Sequence, residues 1–322
     1  VVDETLATYG DWSHGAATFL YLMAMALHLV EYAFGRRSTL AVAEPARELA
    51  TVGGGSSGTT ITPGVVPTEQ GPGRVERLGR MGVAVTVLGA VMHVASLVLR
   101  GVAAGRAPWG NMYEYGSLVC LVAVVTYLVL LYKFGARKLG VFILVPVTFL
   151  MFIGGTLLYA QAAPLQPSLR SYWLVVHVLA AAVASGVFMV PGVASVLYLI
   201  KARNEKRPDK MVKLAGKLPS KDLLDRVAYR TTVLAFPVFT FGVICGGIWA
   251  EAAWGRFWDW DPKETVALVC WVIYAAYLHA RATAGWRGTP AAVINVVGFA
   301  GTVFNLFFVN LVTSGLHSYA GV

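Results

Sequence analysis

The chain has 322 residues, 57% of them hydrophobic and only 13% charged, with a formal net charge of +9. Its apolar residues form unbroken runs instead of amphipathic stripes, which excludes an ordinary soluble domain and puts the chain in the membrane class. Most of the positive charge sits in alternate connecting loops, so it calls for no nucleic-acid partner.

A hydrocarbon core about 30 Å thick takes about 20 apolar residues in a helix. Runs of that kind occupy residues 15–34, 81–99, 115–132, 139–160, 172–200, 231–250, 265–280 and 290–312. Lipid offers the backbone no hydrogen bonds, so each run predicts a helix. The fold class is all-α, a polytopic membrane bundle of about eight transmembrane helices.

Residues 1–35 have no basic leader and no small-residue cleavage site, and read as a retained transmembrane helix. Residues 36–80 include TVGGGSSGTTITPGVVPTEQGPG, too polar and too rich in Gly, Ser, Thr and Pro to bury itself, and predict a disordered cytoplasmic linker. Residues 81–322 are then the functional core, with a tryptophan-rich loop at 249–265. Of the 26 Lys and Arg, all but Arg100, Arg106, Arg170, Arg256 and Lys263 fall in loops on one side. The positive-inside rule makes that side cytoplasmic and puts both termini outside. Cys120, Cys245 and Cys270 lie in apolar runs with no C-x-x-C, which argues against thiol redox chemistry and against a c-type cytochrome.

Histidine is costly in lipid and often functional there. His177 lies near the outer end of the fifth run and His317 just past the outer end of the eighth, on either side of WGRFWDWDPKET, residues 254–265. His279 is near the inner end of the seventh run; His14, His28 and His93 complete the set. Zinc favours clustered tetrahedral ligands and gains little from indoles. Haem takes axial imidazoles on opposite faces and an apolar aromatic slot, which suits two histidines with tryptophans between them. Arg170, Arg256 and Lys263 lie on the outer side as cationic partners for its propionates. Pro262 opens the next helix, so Asp261 reads either as its cap or as a residue that orients the loop.

WGRFWDWDPKET resembles the WWD signature of the haem-handling membrane proteins of cytochrome c maturation. Together with SYWLVVHV, YLHAR, GLHSY and PWGNMYEY it makes residues 81–322 similar to the CcsA/ResC family of the System II pathway, CcsB in actinobacterial naming. The resemblance implies a haem-binding protein of the cell membrane that carries haem b across it and presents it on the extracytoplasmic side. There the haem is joined to the C-x-x-C-H motif of apocytochrome c. It implies that His177 and His317 are external axial ligands of the iron, with Trp254, Gly255, Trp258, Trp260 and Asp261 as the platform at its edge. His279 becomes the ligand of an inner, transmembrane haem position whose second histidine comes from a ResB/Ccs1-type membrane protein. Trp109, Asn111 and Glu114 are expected to line the outer chamber. The chain would be part of a holocytochrome c synthase complex, and no residue is assigned as a catalytic acid or base. The alternatives are a System I type WWD haem-delivery protein and a small-solute membrane transporter without haem.

Overall fold

The computed structural model describes residues 2–34, 73–165, 169–207, 215–283 and 285–317. Most of the predicted linker lies outside the described residues. Among the described residues eight long α-helices follow in chain order: α1 (Glu4–Phe34), α2 (Arg74–Ala104), α3 (Met112–Phe134), α4 (Gly140–Thr156), α5 (Tyr172–Lys206), α6 (Lys221–Trp254), α7 (Pro262–Thr283) and α8 (Thr289–Leu311). A 3₁₀ turn, Arg137–Leu139, leads into α4. Among the described residues these eight, α4 taken with its 3₁₀ turn, are long and apolar enough to cross a membrane. Each overlaps one of the predicted runs; α4 stops at Thr156, short of the predicted 160, α8 stops at Leu311, short of the predicted 312, and several others continue beyond their runs. α2 starts at Arg74, before the apolar stretch, where Arg80 pairs with Glu76 one turn away at 2.9 Å.

Local chemistry sets the helix ends. The Asn111 side chain accepts from the Glu114 amide and opens α3, and Ser171 does the same for α5 through Trp173. Glycines in the left-handed region close α2, α3 and α6 at Gly105, Gly135 and Gly255. Proline at the first position of α7 needs no hydrogen bond there.

The helices pack in two groups. α1 lies along α2 and also touches α4, which packs on α3; α5 lies along α6 and also touches α8, which packs on α7. α3 against α5 is the main joint, and Gly186 lets the two helices pack tightly there, since a Cβ would come within 2.6 Å of the Val119 carbonyl oxygen.

One end of the bundle carries the 255–261 loop and is called here the tryptophan end. It is fastened by a buried ion network. Glu114 accepts from Arg100 at 2.8 Å, from Arg106 at 2.7 Å and from the Gly110 amide at 2.7 Å. Arg100, 2% exposed, also reaches Asp11 of α1 at 3.0 Å and the Ala160 carbonyl. Charges this deep persist only when paired, so α1, α2, α3 and the α4–α5 connection are held together here. At the opposite end Arg137 pairs with Glu31, and Arg281 grips Asp225 through both oxygens at 2.6 and 3.1 Å.

Candidate cofactor site

A cavity opens at the tryptophan end, with walls from α3, α5, α6, α7 and α8. Two histidines line it, from parts of the chain far apart in sequence. His177, on the second turn of α5, donates its Nδ1–H to the Gly242 carbonyl of α6 at 2.7 Å. That bond fixes the tautomer and leaves Nε2 as the lone-pair nitrogen. The ring stacks on Trp249, 6.0 Å between centroids and 10° between planes. Gly246 permits the approach, because a Cβ there would fall 2.7 Å from His177 Cε1.

His317 follows α8 and is held by a different device. Its Nδ1–H donates to Asp261 Oδ1 at 2.8 Å, and its ring meets Trp249 and Trp254 edge-on at 5.8 and 5.2 Å. Trp249, 1% exposed, therefore touches both imidazoles. Both rings spend Nδ1–H on a fixed acceptor, so both carry their lone pair on Nε2.

Asp261 has two jobs at once. Oδ1 accepts from the Lys263 amide at 3.0 Å, while the Asp261 amide donates to Glu264 Oε2 at 3.2 Å, a reciprocal cap at the start of α7. Oδ1 also takes the His317 proton, and Oδ2 accepts from the Leu316 amide at 2.8 Å. The same carboxylate thus starts a helix and clips the C-terminal segment onto it. Burial would raise its pKa, but the His317 N–H and the two amides outweigh burial and hold it at about 2.

The remaining expected residues fall into three places. Trp258, Trp109 and Asn111 line the cavity with the two histidines. Trp254 packs on His317, and Gly255, at φ 70°, turns the chain out of α6. Trp260 has a left-handed backbone at φ 59°, stands 67% exposed and meets Trp258 edge-on at 5.9 Å. Glu114 is buried in its arginine network and does not line the cavity; it braces the turn that carries Trp109. His279 is exposed on α7, two residues from Arg281 at the opposite end.

Of the three cations expected to partner propionates, Lys263 lines the cavity and donates to Asn310 Oδ1. Arg256 is tied to Asp259 and Glu264, and Arg170 to the Leu165 carbonyl. His93 is buried between Tyr21 and Ser117 at 3.2 and 2.8 Å, and His28 packs against Gly82 and Tyr127. Gly242 and Gly246 escaped sequence reasoning, and Trp249 and Phe257, though inside the predicted 249–265 loop, were not singled out. The signal for Trp249 was IWAEAAW, a tryptophan five residues before Trp254, but an aromatic at a membrane interface is ordinary. Two of the residues that line the cavity, Trp109 and Asn305, have a buried polar atom, Nε1 and Oδ1, with no hydrogen-bond partner among the described residues. The arrangement brings two imidazoles and several aromatic side chains to the walls of one cavity.

Residues 109–317 match the family described as Cytochrome C assembly protein, so the match begins and ends on cavity-lining residues. The chain is 37% identical over 238 residues to a protein named cytochrome c biogenesis protein CcsA from Chlamydomonas reinhardtii, covering 71% of this chain and 65% of that one. It is 33% identical over 264 residues to the CcsA protein of Guillardia theta, covering 76% and 87%. The chain thus spans just under two thirds of the algal relative's length. Among solved structures it is similar to cytochrome c heme lyase CcmF, with a TM-score of 0.63 at 16% identity, over 98% of this chain and 48% of that chain. That likeness concerns the fold.

Proposed function

Since this chain belongs to the cytochrome c assembly protein family, we propose that it holds haem between His177 and His317 and presents it for attachment to apocytochrome c. In this reading it is the haem-handling subunit of a System II synthase, with the tryptophan end on the extracytoplasmic side of the plasma membrane. The observation that carries the reading is the pair of imidazoles in one aromatic cavity, each with Nδ1–H spent on a fixed acceptor. Metal-bound histidines need that tie on the other ring nitrogen. The walls fit as well, since Trp249, Trp258 and Phe257 offer flat apolar surface and Lys263 supplies one cation for a carboxylate.

Bound haem b would supply iron for axial ligation and vinyl groups as the acceptors of cysteine thiols. The protein's part is position. His177 is mounted on a continuous helix and is the rigid ligand. His317 is mounted on the segment after α8 and kept in register by Asp261. We assign His317 as the ligand that yields to the histidine of an incoming C-x-x-C-H. Holding thiol and vinyl together then replaces a bimolecular encounter. His279, exposed on α7, is free of the cavity and suits an inner haem position shared with a ResB/Ccs1-type partner.

The test is reconstitution of the purified chain with that partner, ferrous haem and an apocytochrome peptide bearing C-x-x-C-H. Covalent haem on the peptide, followed by its shifted absorption and mass, is the expected result. Haem bound at the cavity with no transfer to the peptide would refute the synthase role.

A further inference from the structure

Trp109 sits in the turn between α2 and α3, and its indole Nε1 is buried without a hydrogen-bond partner among the described residues. The ring lines the cavity that holds His177 and His317. A buried N–H left unpaired is destabilising, so the position makes sense when a ligand brings the acceptor. The turn is rigid. The Trp109 amide donates to the Ala107 carbonyl at 3.0 Å, and the next amide, Gly110, to Glu114 Oε2 at 2.7 Å. Glu114 is in turn fixed by Arg100 and Arg106. The backbone that carries the indole is therefore held in place before anything binds.

The chemistry of the ligand limits the partner. Around the rim of haem, methyl and vinyl groups accept no conventional hydrogen bond, and the two propionate carboxylates do. Asn305, another lining residue, has an Oδ1 without a partner among the described residues, an acceptor for which a carboxylate offers no donor. We propose that Trp109 donates its indole N–H to a propionate, selects porphyrins with free carboxylates, and so fixes which edge of the ring faces the α2–α3 turn. Glu114 is the positioning residue behind it. This rests on the haem reading given above.

The experiment compares haem with its dimethyl ester, titrated by absorbance into the purified full-length chain and its Trp109→Phe variant. The wild type should prefer haem by at least about tenfold, and Trp109→Phe should reduce that preference about tenfold, since a hydrogen bond to a charged group is worth at least that much. The histidine-ligated spectrum should be unchanged in the variant. Equal binding of haem and ester by the wild type overturns the proposal without recourse to any variant, and so does a Trp109→Phe protein that keeps the full preference. If the wild type gives no histidine-ligated spectrum with haem, the haem reading itself fails and this proposal falls with it.

Discussion

Asp261 joins the start of α7 to His317, which that helix does not carry. Three donors converge on it: the Lys263 and Leu316 amides and the His317 imidazole. Asp261→Asn keeps the size but replaces one acceptor oxygen with a donor, so at least one of the three is left unsatisfied, at about 1–3 kcal/mol. Haem occupancy measured by absorbance should fall about tenfold or more, while Asp259→Asn, on an exposed side chain, should change stability by less than about 0.5 kcal/mol. The pH dependence has a definite sign. A carboxyl lowered from 3.8 to about 2 stabilises the fold fully above pH 3.8, and that contribution is lost as pH falls toward 2. Between pH 5 and 8 the Asp261 clip should hold, and a spectral change traced to it should occur only in strong acid. Gly246 is the second sensitive position. An alanine Cβ there meets the His177 ring at 2.7 Å and would displace it from the Gly242 carbonyl. Gly246→Ala should therefore lose haem while Gly116→Ala, with open space around it, should leave binding intact and add up to about 1 kcal/mol of stability.

At the scale of elements, the tryptophan end depends on the Glu114 network. Removing one partner of a buried ion set is costed at about 3–5 kcal/mol, whereas an exposed pair contributes less than about 1 kcal/mol. Glu114→Gln should lower the thermal unfolding temperature in detergent clearly, and Glu76→Gln, which breaks the exposed pair with Arg80, should not. Helix existence was legible in the sequence because an apolar run of about 20 residues has few alternatives in lipid. Where the helices ended was less so, since α2 and α5 continue into polar sequence where propensity and caps, not hydropathy, decide. The network was illegible for a different reason. Arg100 finds Asp11 and the Ala160 carbonyl, far away in sequence, and no local pattern announces such a partner. Glu114, expected to face the chamber from its motif alone, turns instead into these arginines.

For the whole molecule, the two helix groups meet at α3 and α5, and the cavity lies beside that joint, with Asn111, Met112 and Tyr115 on one side and His177 and Ser185 on the other. Tyr115 and Ser185 share a hydrogen bond at 3.2 Å across it. The end of the bundle near which His177, His317 and His279 lie was readable from their positions in the runs; the pairing of His177 with His317 came from the tryptophan stretch between them and from the resemblance, because lateral order of helices leaves no trace in hydropathy. α1 illustrates this. It stood apart in the sequence behind a polar linker, yet it sends Asp11 to Arg100 and Tyr21 to His93. The most direct test of the central claim is the absorption spectrum of the haem-reconstituted full-length chain with His177→Gly, His317→Gly and His279→Gly made singly. A six-coordinate low-spin spectrum in the wild type, lost or converted to high spin in the first two variants and kept at the cavity in the third, is expected. An unchanged spectrum in both His177→Gly and His317→Gly would contradict it.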